Sequence, residues 1–194
     1  IMPAQKSIAK DTVTAGVATF PKSSDSAKAG GVYTVVCTGP DGQVKWEDSF
    51  HNLVMNEGLQ DMNAKYFTGS SYTATWYLGL YGAAASNSPA ASDTMSSHAG
   101  WTEVTAYSQS TRPQCVFGTP TTADPSVATN SASPAVYSIN GTTTVGGAFL
   151  TSNSTKSGTT GTLFSAADFS SPGDRSVVSG DTLTVTYTFS LTAT

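Results

Sequence analysis

The chain has 194 residues and a net charge of −4, with only 11% of its side chains charged. That length supports one domain with a proper core and does not require two, and 38% hydrophobic content excludes wholesale disorder. The charge balance lacks the basic surplus with which nucleic-acid binders neutralise phosphates, so no nucleic-acid partner is expected.

No apolar run approaches the roughly 18–20 residues needed to span a bilayer, so no membrane partner is expected either. The opening IMPAQKSIAK lacks the apolar stretch of a signal peptide, and we expect a soluble protein that is not classically secreted.

Residues 1–30 are the least patterned part and read as an extended N-terminal arm. Lys6, Lys10, Lys22 and Lys28 lie in it, four of the chain's nine basic residues. Pro3, Pro21 and the run KSSDSAKAGG discourage regular structure, while Thr12–Phe20 alternates well enough for an edge strand. The arm is either a mobile terminus or a segment that becomes ordered on a neighbouring subunit.

Residues 31–194 read as a single β-sandwich domain. VYTVVCT and QVKWEDS flank Gly39-Pro40-Asp41-Gly42, the clearest hairpin in the chain. Asn56–Phe67 follows as the one helix, with Leu59, Met62, Tyr66 and Phe67 as its apolar face and Asp61 and Lys65 as an i, i+4 pair. Asn56 suits the N-cap and Gly69 the left-handed stop.

A strand at YTATWYLGL leads into the small, polar segment Tyr81–Gly100, a surface loop long enough to imply a task. WTEVTAYS and QCVFG read as a strand pair, as do AVYSING and TTTVGGAFLTS turning at Asn140-Gly141. TLFSA reads as one more strand. In the last stretch Leu183, Val185, Tyr187, Phe189 and Leu191 alternate with Thr and Ser, the strongest strand signal in the chain. Nine or ten such strands predict a mainly β fold, an antiparallel β-sandwich that is jelly-roll-like, with one short α-helix around residues 56–67.

Chemistry-bearing patterns are sparse. His51 and His98 have no partner at metal-ligand spacing, and no metal or cofactor is expected. His51 or His98 with Asp93, Glu103 and one of many serines composes a triad on paper, but with so many serines the coincidence carries little weight, and G-x-S-x-G is missing. Glu47 and Asp48 are adjacent, so on a strand they face opposite ways. Asp41, Asp124, Asp174 and Asp181 sit in turn contexts. Gly30-Gly31 and Gly146-Gly147 lack the residues of a phosphate loop. Cys37 and Cys115 read as buried thiols, bonded only if their strands lie side by side. Trp46, Trp76 and Trp101 suit core or interface packing. No catalytic residue is assigned, and an enzyme is not expected.

Several phrases carry a resemblance: HNLVMNEGLQDMNAKYF, YTATWYLGLYG, DTMSSHAGWTEVTAYSQSTRP, and GGAFLTSNST with VVSGDTLTVTYTFSL. Across most of residues 50–194 the chain resembles tailed-bacteriophage capsid decoration (cement) proteins of β-sandwich or jelly-roll type. The resemblance implies a non-enzymatic virion protein, a homo-oligomer (dimer or trimer) on the capsid surface, bound to the major capsid protein. It supplies no functional residues, so Lys6, Lys10, Lys22 and Lys28 of the arm stand as the capsid-contact candidates. Two other readings compete. One is a tail or receptor-binding fibre component that recognises host glycans, and the other a small hydrolase using His98 or His51.

Overall fold

A computed structural model describes residues 26–72, 75–82, 88–170 and 172–194. The elements in order are β1 (Ala27–Thr38), β2 (Val44–His51), β3 (Leu53–Val54), α1 (Asn56–Phe67), β4 (Trp76–Tyr81), β5 (Gln114–Cys115) and β6 (Ser126–Thr129). They continue with β7 (Ala135–Ser138), β8 (Thr143–Val145), β9 (Gly147–Thr151), β10 (Leu163–Asp168), β11 (Arg175–Val177) and β12 (Thr182–Ala193). The fold is mainly β, sandwich-like and antiparallel throughout, with one short helix among the described residues.

The first sheet runs β2-β1-β12-β6, with β7 also paired to β12; the second runs β3-β10-β9-β4-β5. A small β8–β11 ribbon stands apart from both. The C-terminal alternation explains the first sheet. Leu183, Val185 and Tyr187 point inward beside Cys37, Val35 and Tyr33 of β1, each directly opposite in register. The intervening threonines form the other face, only partly covered.

The second sheet is covered on both faces, which is why WYLGLY and GAFLT read as continuous apolar runs and not as alternations. Leu78, Leu80, Ala148 and Leu150 pack toward the first sheet. Tyr81, Phe149 and Ala166 point the other way, onto Met55, Met95 and Trp101. Phe149 lies across Gly79, its partner in register, so closely that a Cβ there would sit 2.0 Å from the ring. A polar chain links the sheets inside the core: Tyr33 and Ser165 share a 2.7 Å hydrogen bond, and Asn52 donates to Tyr187 at 2.8 Å.

Several expectations change. The helix has the expected span, but its cap is Met55 without a side-chain bond, and Asn56 is the first helical residue, its N–H donating to the Ala91 carbonyl. Gly69 does take positive φ, at 69°. The apolar face is rotated by one residue from the expected one. The covered stripe runs through Gly58, Met62 and Lys65, while Leu59, Tyr66 and Phe67 face outward. The cause is Gly58, whose missing side chain lets the helix settle on β10; a Cβ there would lie 2.5 Å from the Phe164 carbonyl oxygen. Glu57 fixes the contact by accepting the Leu163 N–H at 3.0 Å.

Asn140-Gly141 closes no hairpin, because β7 pairs with β12 and β8 with β11. Residues 101–108 contribute only isolated bridges, at Glu103 and Tyr107, and β5 pairs with β4 instead. The expected arm boundary shifts as well. β1 starts at Ala27, so residues 27–30 belong to the sheet, while the Thr12–Phe20 strand expectation lies outside the described residues.

Candidate functional site

Reactive side chains are the first place to look for a site, and the fold uses most of them to hold itself together. Arg112, almost wholly buried, forks onto Glu103 with Nε and Nη2 each 2.8 Å from a carboxylate oxygen. Its remaining reach goes to the backbone carbonyls of Asn153 and Gly158. Glu103 also accepts the Ser157 N–H, so this pair pins the 153–158 turn to the loop before β5. Asp48, buried as the strand parity required while Glu47 is exposed, accepts from Ser170 and from Arg175 at 3.2 Å.

Lys45 meets Asp181 at 2.7 Å. Burial by itself would raise the Asp181 carboxyl, but hydrogen bonds from Lys45 and the Val178 N–H together hold it below the ordinary carboxylate range. Asp41 accepts the Gln43 N–H within its turn, as expected. Asp124 instead reaches the Ala193 N–H, far along the chain.

The imidazoles are not brought together with a nucleophile. His98 stacks on Trp101 at 3.9 Å and its Nδ1 contacts the Trp101 carbonyl, while Asp93 is occupied by the Trp101 indole N–H. His51 lies exposed at the end of β2. Among the described residues no hydroxyl bonds to either imidazole, and no group of three metal-ligating side chains converges. Cys37 and Cys115 are buried and unbonded. Burial pushes the Cys37 thiol up to about 11 and the Cys115 thiol up to about 12.

Of the four arm lysines, Lys6, Lys10 and Lys22 lie outside the described residues. Lys28 is an exposed residue of β1, opposite Thr192.

The notable surface is the outer side of α1. Tyr66 and Phe67 are 84% and 76% exposed and meet edge to face at 4.9 Å. Leu59 is exposed as well, and Tyr72, 74% exposed, stands at the groove described next. Beside it opens an apolar groove of about 470 Å³ between the helix, the β5 edge and the end of the first sheet. Sequence reasoning missed this patch by placing the aromatics inward, and Gly58 was the signal that could have corrected it. No helix among the described residues is long and apolar enough to cross a membrane. No family model matches the chain, and no curated protein or solved structure was found similar to it.

Proposed function

We propose that the protein is a non-enzymatic component of a tailed-phage virion, a decoration protein that binds the major capsid protein on the outer shell and stabilises the head. One structural observation supports this above the others. The buried arginine and carboxylate groups of the Arg112–Glu103 and Arg175–Asp48 pairs serve internal ion pairs, whereas large aromatic side chains are left facing outward on the helix. Exposed aromatics clustered on one face are what an adhesive surface requires. The segment resemblance supplies the identity of the partner. Repeated copies around a lattice would multiply modest individual contacts.

Cosedimentation with undecorated capsids tests this reading. The wild-type protein should pellet with the shells, and a Tyr66→Ser/Phe67→Ser variant of unchanged melting temperature should lose roughly tenfold or more in affinity, as befits two central aromatic contacts. Failure of the wild type to pellet would remove the proposal. The same aromatics also favour a second reading, glycan recognition from a tail or fibre, because sugar rings stack on such faces. Retained binding to host-cell glycans without binding to shells would select it.

A further inference from the structure

The outermost strands of a sheet carry backbone groups that another chain can pair with, and this fold treats its edges unequally. On the first sheet, β6 is closed from outside by backbone bonds from the Gly118 N–H to Thr129 and from the Thr121 N–H to Val127. β7 is closed by one from the Ser108 N–H to Ser138. The second sheet ends in β3 and β5, each of 2 residues. β2 differs. It is 8 residues long and pairs only with β1, and no backbone bond reaches its other side among the described residues.

The register with β1 shows what that edge offers. The Asn52 N–H donates to the Gly31 carbonyl at 2.9 Å, so by antiparallel alternation Phe50, Asp48 and Trp46 also turn their backbone groups toward β1. Glu47, Ser49 and His51 turn theirs outward. The side chains of these three are exposed and share the outer face of the sheet, whereas Asp48 and Phe50 are buried.

A charge in the middle of an edge strand ordinarily keeps other strands away. One partner nevertheless fits Glu47. When β2 pairs antiparallel with a second β2 centred on Ser49, each Glu47 falls opposite the partner's His51, and an imidazole N–H can donate to the carboxylate. All three outward residues then form hydrogen-bonded pairs, so every outward N–H of one strand meets an outward carbonyl of the other. Centring on Glu47 would set two carboxylates face to face, and centring on His51 would leave Glu47 and Ser49 past the strand end. The Ser49 register also brings Val44, 60% exposed, toward the partner's Leu53, at a position that is 41% exposed.

We propose that β2 is a self-pairing edge, through which two copies of the chain join about a two-fold axis at Ser49 and merge their first sheets into one. A contact of this isologous kind closes after two copies and leaves no further edge of the same type open. It uses neither the aromatics of α1 nor the groove beside them, so it stands or falls independently of the capsid reading.

Sedimentation of the full chain should show a monomer–dimer equilibrium that shifts with concentration. Cysteine variants then read the register, the native thiols being buried. Opposite Cα atoms in a hydrogen-bonded antiparallel pair lie about 5.5 Å apart, within disulfide reach, so Ser49→Cys should give a covalent dimer on mild oxidation. Glu47→Cys alone should not link, because the two copies of that position lie four residues of strand apart, about 13 Å; mixed with His51→Cys it should. Ser49→Pro removes an N–H that the single chain does not use, and should keep its melting temperature while weakening the dimer tenfold or more. Glu47→Lys should weaken it several-fold, and Glu47→Lys/His51→Glu should restore it. A monomer at every concentration, a Glu47→Cys link as ready as the Ser49→Cys link, or a dimer indifferent to Ser49→Pro would each overturn the proposal. A wild type that stays monomeric and dimerises only after removal of residues 1–25 would overturn it in favour of an edge closed by the chain's own arm.

Discussion

At Arg112 and Glu103, removal of one partner and removal of both have different consequences. Arg112→Ala leaves a carboxylate buried without its cation and should cost about 3–5 kcal/mol, read as a large fall in the denaturant midpoint. Replacing both with apolar residues should cost much less, because no unpaired charge remains. The Lys45–Asp181 contact gives a pH dependence whose sign follows from the depressed Asp181 carboxyl. A group held below its unfolded value stabilises the fold above that unfolded value, near 3.8, and the contribution fades as pH falls through the folded one. Asp181→Asn should therefore flatten the acid limb of the stability profile below about pH 4, and an unchanged limb would contradict the pairing. The thiols behave as core side chains: with values raised to about 11 and about 12, neither should react with a thiol reagent at pH 8 until the protein is unfolded.

The helix shows most plainly where element-level reading succeeds and where it stops. Glycine inside a helix normally costs about 1 kcal/mol relative to alanine, so Gly58→Ala would ordinarily stabilise. Here the sign reverses, because the new methyl would press on the Phe164 carbonyl; a loss of roughly 1–3 kcal/mol in thermal unfolding is expected. The span of the helix was legible from its spacing, but its phase was not. Large apolar residues outweigh a glycine in any pattern count, although close backbone approach is what decides the contact. β12 was legible for the opposite reason: one buried face and one open face print a period of two, and register then follows from β1. Asn140-Gly141 misled because turn chemistry is local, whereas the partner of β7 is chosen by Tyr137 and Leu183 burying together. The exposed aromatic patch was illegible because outward exposure is a tertiary property, set here by Gly58 and Glu57.

At the scale of the molecule, two packed sheets and a set of internal ion pairs tie distant segments together, which suits the proposed role of holding neighbours in place. The arm requires a more careful cut than the sequence suggested. Removing residues 1–25 spares every strand pairing among the described residues, which include Ser26 with Thr194 and Ala27 with Ala193, whereas removing 1–30 takes away the end of β1. The shorter deletion should fold and lose part of its capsid occupancy, measured by quantitative gel of decorated shells. Full retained occupancy would exclude a contribution from Lys6, Lys10 and Lys22. The most direct measurement is an image of the intact particle at a resolution that places side chains. The account predicts density for the sandwich on the outer shell with the Tyr66–Phe67 face against the major capsid protein. Density in the tail, or a shell-bound sandwich whose helix faces solvent, would contradict it.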